Sequence, residues 1–71
     1  MITIDLHGVR YRDVYGMLEK HCVSGETPFV VITGDSSTMK DIVFEVAKQF
    51  DLLIEDKLGN TGRVIIYEKN T

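Results

Sequence analysis

One cysteine, Cys22, in 71 residues leaves no partner for an intrachain disulfide and no thiolate cluster for zinc. The two histidines, His7 and His21, do not complete a ligand set of recognisable metal spacing. Cys22 therefore reads as a buried or half-buried helical thiol rather than a nucleophile. Basic residues are also short: eight lysines and arginines stand against eleven acids, for a net charge of −3. That balance argues against non-specific coating of nucleic acid, and any polyanion site must be a local patch. No apolar run approaches the roughly 20 residues of a membrane span, and Met1-Ile2-Thr3-Ile4-Asp5 lacks the basic-then-apolar pattern of a leader peptide. A cytoplasmic chain without membrane attachment is expected. Linkers, low-complexity segments and long repeats are missing too, as is the Gly-x4-Gly-Lys spacing of a P-loop.

What is present is a 44% apolar content with charges of both signs interspersed, which reads as globular. A chain of this length makes one domain, residues 1–71. It buries only about 60% of its unfolded surface and is marginal unless its core is well filled.

The hydrophobic period alternates between two and about 3.6. Residues 2–7 predict a strand; Val14, Met17, Leu18 and Cys22 recur at three and four and predict a helix over about 10–23, with a poorly signalled start. Gly25 through Pro28 form a turn cluster. Phe29-Val30-Val31-Ile32-Thr33 is a β-branched run apolar on both faces, which predicts an interior strand parallel to the first. Met39, Ile42, Val43, Val46, Ala47 and Phe50 make one stripe of a second helix, with Ser36, Ser37 and Thr38 as candidate N-caps. Leu52 to Glu55 and Arg63 to Glu68 predict two more strands, joined by a loop through Gly59-Asn60-Thr61-Gly62. The expected class is α/β, an α+β sandwich: two layers in the order β-α-β-α-β-β, with right-handed crossovers, a small mixed four-stranded sheet and both helices on one face. Apolar positions on both faces of the second and fourth strands leave room for a dimer interface.

Asp5 and His7, two apart on the first strand, share one face with Thr3, while Ile2, Ile4 and Leu6 take the other. Gly8 then allows a sharp turn or a close approach to a ligand. Two readings fit: a carboxylate and imidazole poised for chemistry, or a turn-capping aspartate beside an ordinary surface histidine. Ligands of α/β sheets sit outside the carboxyl ends of strands, and His7-Gly8 and Thr33-Gly34 both fall at such ends. Asp5, His7, Thr33 and Asp35 can therefore converge. Behind Thr33-Gly34 come Asp35-Ser36-Ser37-Thr38 and a helix start, whose N–H groups and dipole favour phosphate. The same serines serve equally as caps, and Asp35 is an awkward neighbour for an anion. Arg10 and Arg12 offer phosphate contacts and Tyr11 a stacking ring, or else a solvated first turn with Tyr11 packed on the core.

Ile4-Asp5-Leu6-His7-Gly8, the strand ending in Thr33-Gly34, and Asn60-x-Gly62 before the last strand resemble the Smr (small MutS-related) domain family, in order and over nearly the whole chain. That family carries a Leu-Asp-Leu-His-Gly block at its first strand, a Thr/His-Gly-x-Gly block after its second, and a glycine-containing loop before its last. The resemblance implies a fold like the C-terminal domain of translation initiation factor three, nucleic-acid binding and, in many members, endonuclease activity on RNA or DNA. Two departures stand out. Ser36 occupies the second glycine of the Thr33-Gly34-Asp35-Ser36 block, and Val9-Arg10-Tyr11-Arg12-Asp13 replaces a capping hydroxyl and acids.

The expected activity is hydrolysis of a backbone phosphodiester, RNA favoured over DNA. His7 would be general acid or base, with Asp5 orienting it. Gly8, Arg10, Arg12, Thr33, Gly34, Ser36, Ser37 and Arg63 would bind the phosphate and backbone. A pair such as Asp5 and Asp35 could hold magnesium in a metal-assisted route. The alternative is a non-catalytic module of the same fold, docking on nucleic acid, a ribosome or a protein partner. A nucleotide or small-anion site at the second helix start is a third reading.

Overall fold

In a computed structural model, which describes residues 1–56 and 62–69, the alternation of apolar residues becomes a four-stranded sheet with two helices. The elements are β1 (Ile2–Asp5), α1 (Tyr11–Val23), β2 (Phe29–Ile32), α2 (Ser37–Gln49), β3 (Leu52–Asp56) and β4 (Arg63–Glu68). Strand order is β1-β2-β4-β3. The β1 and β2 strands run parallel, with Ile4 beside Val31, and the other two pairings are antiparallel. The sheet is thus mixed, and the two strands apolar on both faces, β2 and β4, are the interior ones, as a strand covered by neighbours requires.

Both helices lie against the same face. Ile4, Phe29, Val31, Val64 and Ile66 from the sheet form one buried cluster with Val14 and Leu18 of α1 and Met39, Val43, Val46 and Ala47 of α2, and Leu52 and Ile54 pack against it. Leu6, just beyond β1, is fully buried in the same cluster. The period of two on the strands and the three-and-four spacing on the helices bring these stripes together.

Helix α2 starts where its sequence allows a cap: the Ser36 hydroxyl accepts the Met39 N–H at 3.1 Å. Of the three candidate caps, Ser36 takes the role. Helix α1 begins after Arg10, which makes no side-chain cap. At its far end His21 pairs through Nδ1 with Glu26 and lies against the Phe29 ring, tying the turn before β2 to the helix. Cys22 is half-buried, and burial pushes its thiol pKa up, as a helical thiol beside a core would show.

One expected boundary shifts in a way that matters. Strand β1 stops at Asp5 rather than running through residue 7, and His7 and Gly8 form a turn. Alternation cannot distinguish a strand from a strand that leaves the sheet two residues early while its next apolar residue, Leu6, still reaches the core. Gly59, Asn60 and Thr61 of the expected loop lie outside the described residues. No helix among the described residues is long and apolar enough to cross a membrane.

Candidate functional site

The parallel pairing of β1 and β2 sets their carboxyl ends side by side, and each runs into a glycine with a left-handed backbone. Gly8 has φ +77° and Gly34 φ +68°. A Cβ at either position would meet nothing within 4 Å. The requirement for glycine is therefore conformational rather than steric.

The first turn is closed by the side chain of Asp5, whose Oδ1 accepts the backbone N–H of His7 at 2.9 Å. The Leu6 carbonyl accepts the Val9 N–H at 3.0 Å. Asp5 is thus an Asx-type turn former, and its bond goes to the main chain of His7, not to the imidazole. This corrects the expectation that the two side chains share a strand face. Both are exposed. The second turn is tied to the start of β4: the N–H groups of Thr33 and Gly34 donate to the Gly62 carbonyl at 2.9 and 3.1 Å. Thr33, nearly buried, donates its hydroxyl to the Gly34 carbonyl at 2.9 Å.

Between the two turns lies an open cleft of about 520 Å³, lined by Leu6, His7, Gly8, Val9, Arg10, Tyr11, Thr33, Ser36 and Met39. Leu6 and Met39 belong to the core, so the cleft has an apolar floor, and His7, Arg10, Tyr11, Thr33 and Ser36 give it a polar rim. Tyr11, half-exposed, hangs over it with its hydroxyl 3.4 Å from Ser36 Oγ, joining the start of α1 to that of α2. Volume and lining suit a group of small-molecule or single-nucleotide size.

Six of the expected residues therefore converge: His7, Gly8, Arg10, Thr33 and Ser36, and Tyr11 as the ring offered for stacking. Gly34 and Ser37 are adjacent in sequence but do not line the cleft, and neither does Arg12. Asp5 and Arg63 lie on the opposite side of the sheet from the helices: each alternates with a core residue, Ile4 or Val64, and they flank Ile32 in the register Asp5, Ile32, Arg63. Sequence reasoning missed Leu6, Val9 and Met39 as the floor, since each reads simply as an apolar core position. Ser36 differs from its expected role in one respect: its oxygen already accepts the Met39 N–H. Of the four N–H groups at the helix start that lack an intrahelical acceptor, that of Met39 is thereby engaged.

A metal-assisted route finds little support in the donor set. Among the described residues no group of three or more His, Cys, Asp or Glu side chains converges, and one oxygen of Asp5 is engaged by the turn.

Fold and site together define a two-layer α+β protein with a ligand-sized cleft at the carboxyl ends of two parallel strands. Comparisons with protein-family models, with curated proteins and with solved structures each give no match.

Proposed function

We propose that this chain is an Smr-like module that binds nucleic acid, RNA in preference to DNA, and cleaves a backbone phosphodiester at the cleft between the two glycine turns. The observation that carries this reading is the convergence of His7, Arg10, Tyr11, Thr33 and Ser36 around one cleft, His7 and Thr33 coming from the two blocks that resemble the family and Arg10, Tyr11 and Ser36 from the positions that depart from it. A guanidinium and the N-terminus of α2 supply the positive field that an overall acidic chain must concentrate locally. Tyr11 offers a ring for base stacking. His7 brings the one imidazole among the residues lining the cleft, and it serves as general acid or base at the scissile phosphate. Asp5 acts as a positioning residue by fixing the turn that carries His7.

A second reading has a specific observation in its favour. The capping bond of Ser36 takes one helix N–H away from any phosphate, as suits a module that binds without turnover.

End-labelled single-stranded RNA and DNA, incubated with the protein in magnesium or in chelator beside His7→Ala, separate these readings. Cleavage by the wild type that is lost in His7→Ala supports the nuclease. Binding without cleavage supports the second reading, and neither binding nor cleavage overturns both.

A further inference from the structure

The face of the sheet turned away from the helices is built like the centre of an interface. Val30 and Ile65 are directly opposed on the two interior strands, and Leu53 and Tyr67 are opposed on β3 and β4. Ile32 adjoins Val30 two residues on. Val30 is buried without any helix above it, and the other four are half-buried. An antiparallel sheet with one solvated face ordinarily alternates apolar inside and polar outside. Here β2 and β4 break that rule in the middle of the sheet, and Leu53 of β3 extends the break, while Thr3 and Asp5 on β1, and Glu55 on β3, are exposed and polar. An apolar centre with a polar rim is the anatomy of a protein interface.

We propose that a second copy of this chain covers this face, forming a two-fold symmetric dimer in which the two sheets pack face to face. The register of the strands makes the face complementary to itself. A two-fold axis running along the strands between β2 and β4 sets Val30 over the partner's Ile65 and, by symmetry, Ile65 over the partner's Val30. The same operation sets Glu55 over the partner's Thr3, an acceptor facing a hydroxyl. Arg63 comes over the partner's Ile32, one strand from the partner's Asp5, so that opposite charges meet at the rim. A chain of this size without a disulfide also gains most from such burial, since its own core is small.

Sedimentation equilibrium on the full chain, from about 100 μM down to about 0.1 μM, tests the proposal beside Ile65→Asp, Arg63→Glu and, as a control on a helix, Phe44→Asp. The wild type and Phe44→Asp are expected to dimerise. Ile65→Asp is expected to be monomeric throughout, and Arg63→Glu to dissociate at a concentration about tenfold higher or more. Should Ile65→Asp fail to fold, the register is read directly. Single-cysteine variants Thr3→Cys and Glu55→Cys, each in a Cys22→Ala background, are mixed and treated with a short bis-maleimide. A mixed cross-linked pair supports the two-fold. A wild type monomeric at the highest concentration, a dimer untouched by Ile65→Asp, or the absence of the mixed pair overturns it.

Discussion

The Asp5 carboxylate accepts the backbone N–H of His7 at 2.9 Å, so the acidic residue of the Asp-x-His pair holds the turn on which the histidine stands. The contact separates a structural from an electrostatic role for Asp5. Asparagine keeps a side-chain oxygen that can accept the same N–H, whereas alanine removes it. Asp5→Asn is expected to retain wild-type stability within a few tenths of a kcal/mol, and Asp5→Ala to lose about 1 kcal/mol. Urea unfolding of both variants measures this. Cleavage by Asp5→Asn close to wild type would accompany a positioning role; a large loss at unchanged stability would mean that the negative charge itself is needed.

Ser36 carries two contacts, the cap on Met39 and the approach to the Tyr11 hydroxyl. Replacement by alanine costs about 1 kcal/mol of helix capping, whereas glycine costs only a few tenths. Thermal unfolding should therefore fall by about 4–8 °C in Ser36→Ala and much less in Ser36→Gly. The glycine variant also clears the side chain from the cleft rim. Its cleavage is expected to be no lower than that of the wild type, and cleavage gained over an inactive wild type would show the serine side chain to be the block.

Asp51, just past the end of α2, has φ +58° and donates its N–H to the Lys48 carbonyl at 3.0 Å. A left-handed residue at this place in a helix terminus favours glycine. The side-chain pair with Lys69 is largely exposed and adds little. Asp51→Gly is expected to stabilise the fold by about 0.5–1 kcal/mol, and Asp51→Ala to destabilise it. Opposite signs in paired melting curves are the test; two losses would mean that the carboxylate outweighs the backbone.

Much of the architecture is legible in the residues themselves. The Phe29-Val30-Val31-Ile32 run announces an interior strand because a residue flanked by strands on both sides exposes little of either face. The α2 stripe from Met39 to Ala47 announces its helix because burial on one side imposes the helical period. The end of β1 is not legible. The Asp5 side chain turns back to bond the His7 main chain, yet Leu6 still reaches the core, so the pattern of apolar residues is the same as for a longer strand. The cleft is legible in its rim but not its floor: Leu6, Val9 and Met39 line it together, yet each reads in the sequence as an ordinary apolar core position. Arg63 is expected at the phosphate, whereas its parity against Val64 sets it on the other side of the sheet.

Burial raises the pKa of the Cys22 thiol, so the folded state favours the protonated form, and the sign of the pH effect follows. Stability from this group is fully present below the ordinary thiol pKa of about 8.5 and is lost as pH rises through the higher folded value, because the unfolded chain releases the proton first. Tyr67 adds a loss of the same direction at more alkaline pH, its phenol being raised by desolvation and by the Glu55 carboxylate, which also accepts its hydrogen bond. Urea titrations at about pH 7 and about pH 9.5 should show the wild type weakening between them. Cys22→Ala should weaken less, whatever its absolute stability. Alkylation by iodoacetamide at neutral pH should be slower in the folded chain than in urea, because both protonation and burial withhold the thiolate. A folded-state rate equal to that in urea would show Cys22 to be accessible and reactive, and would return it to consideration as a functional thiol.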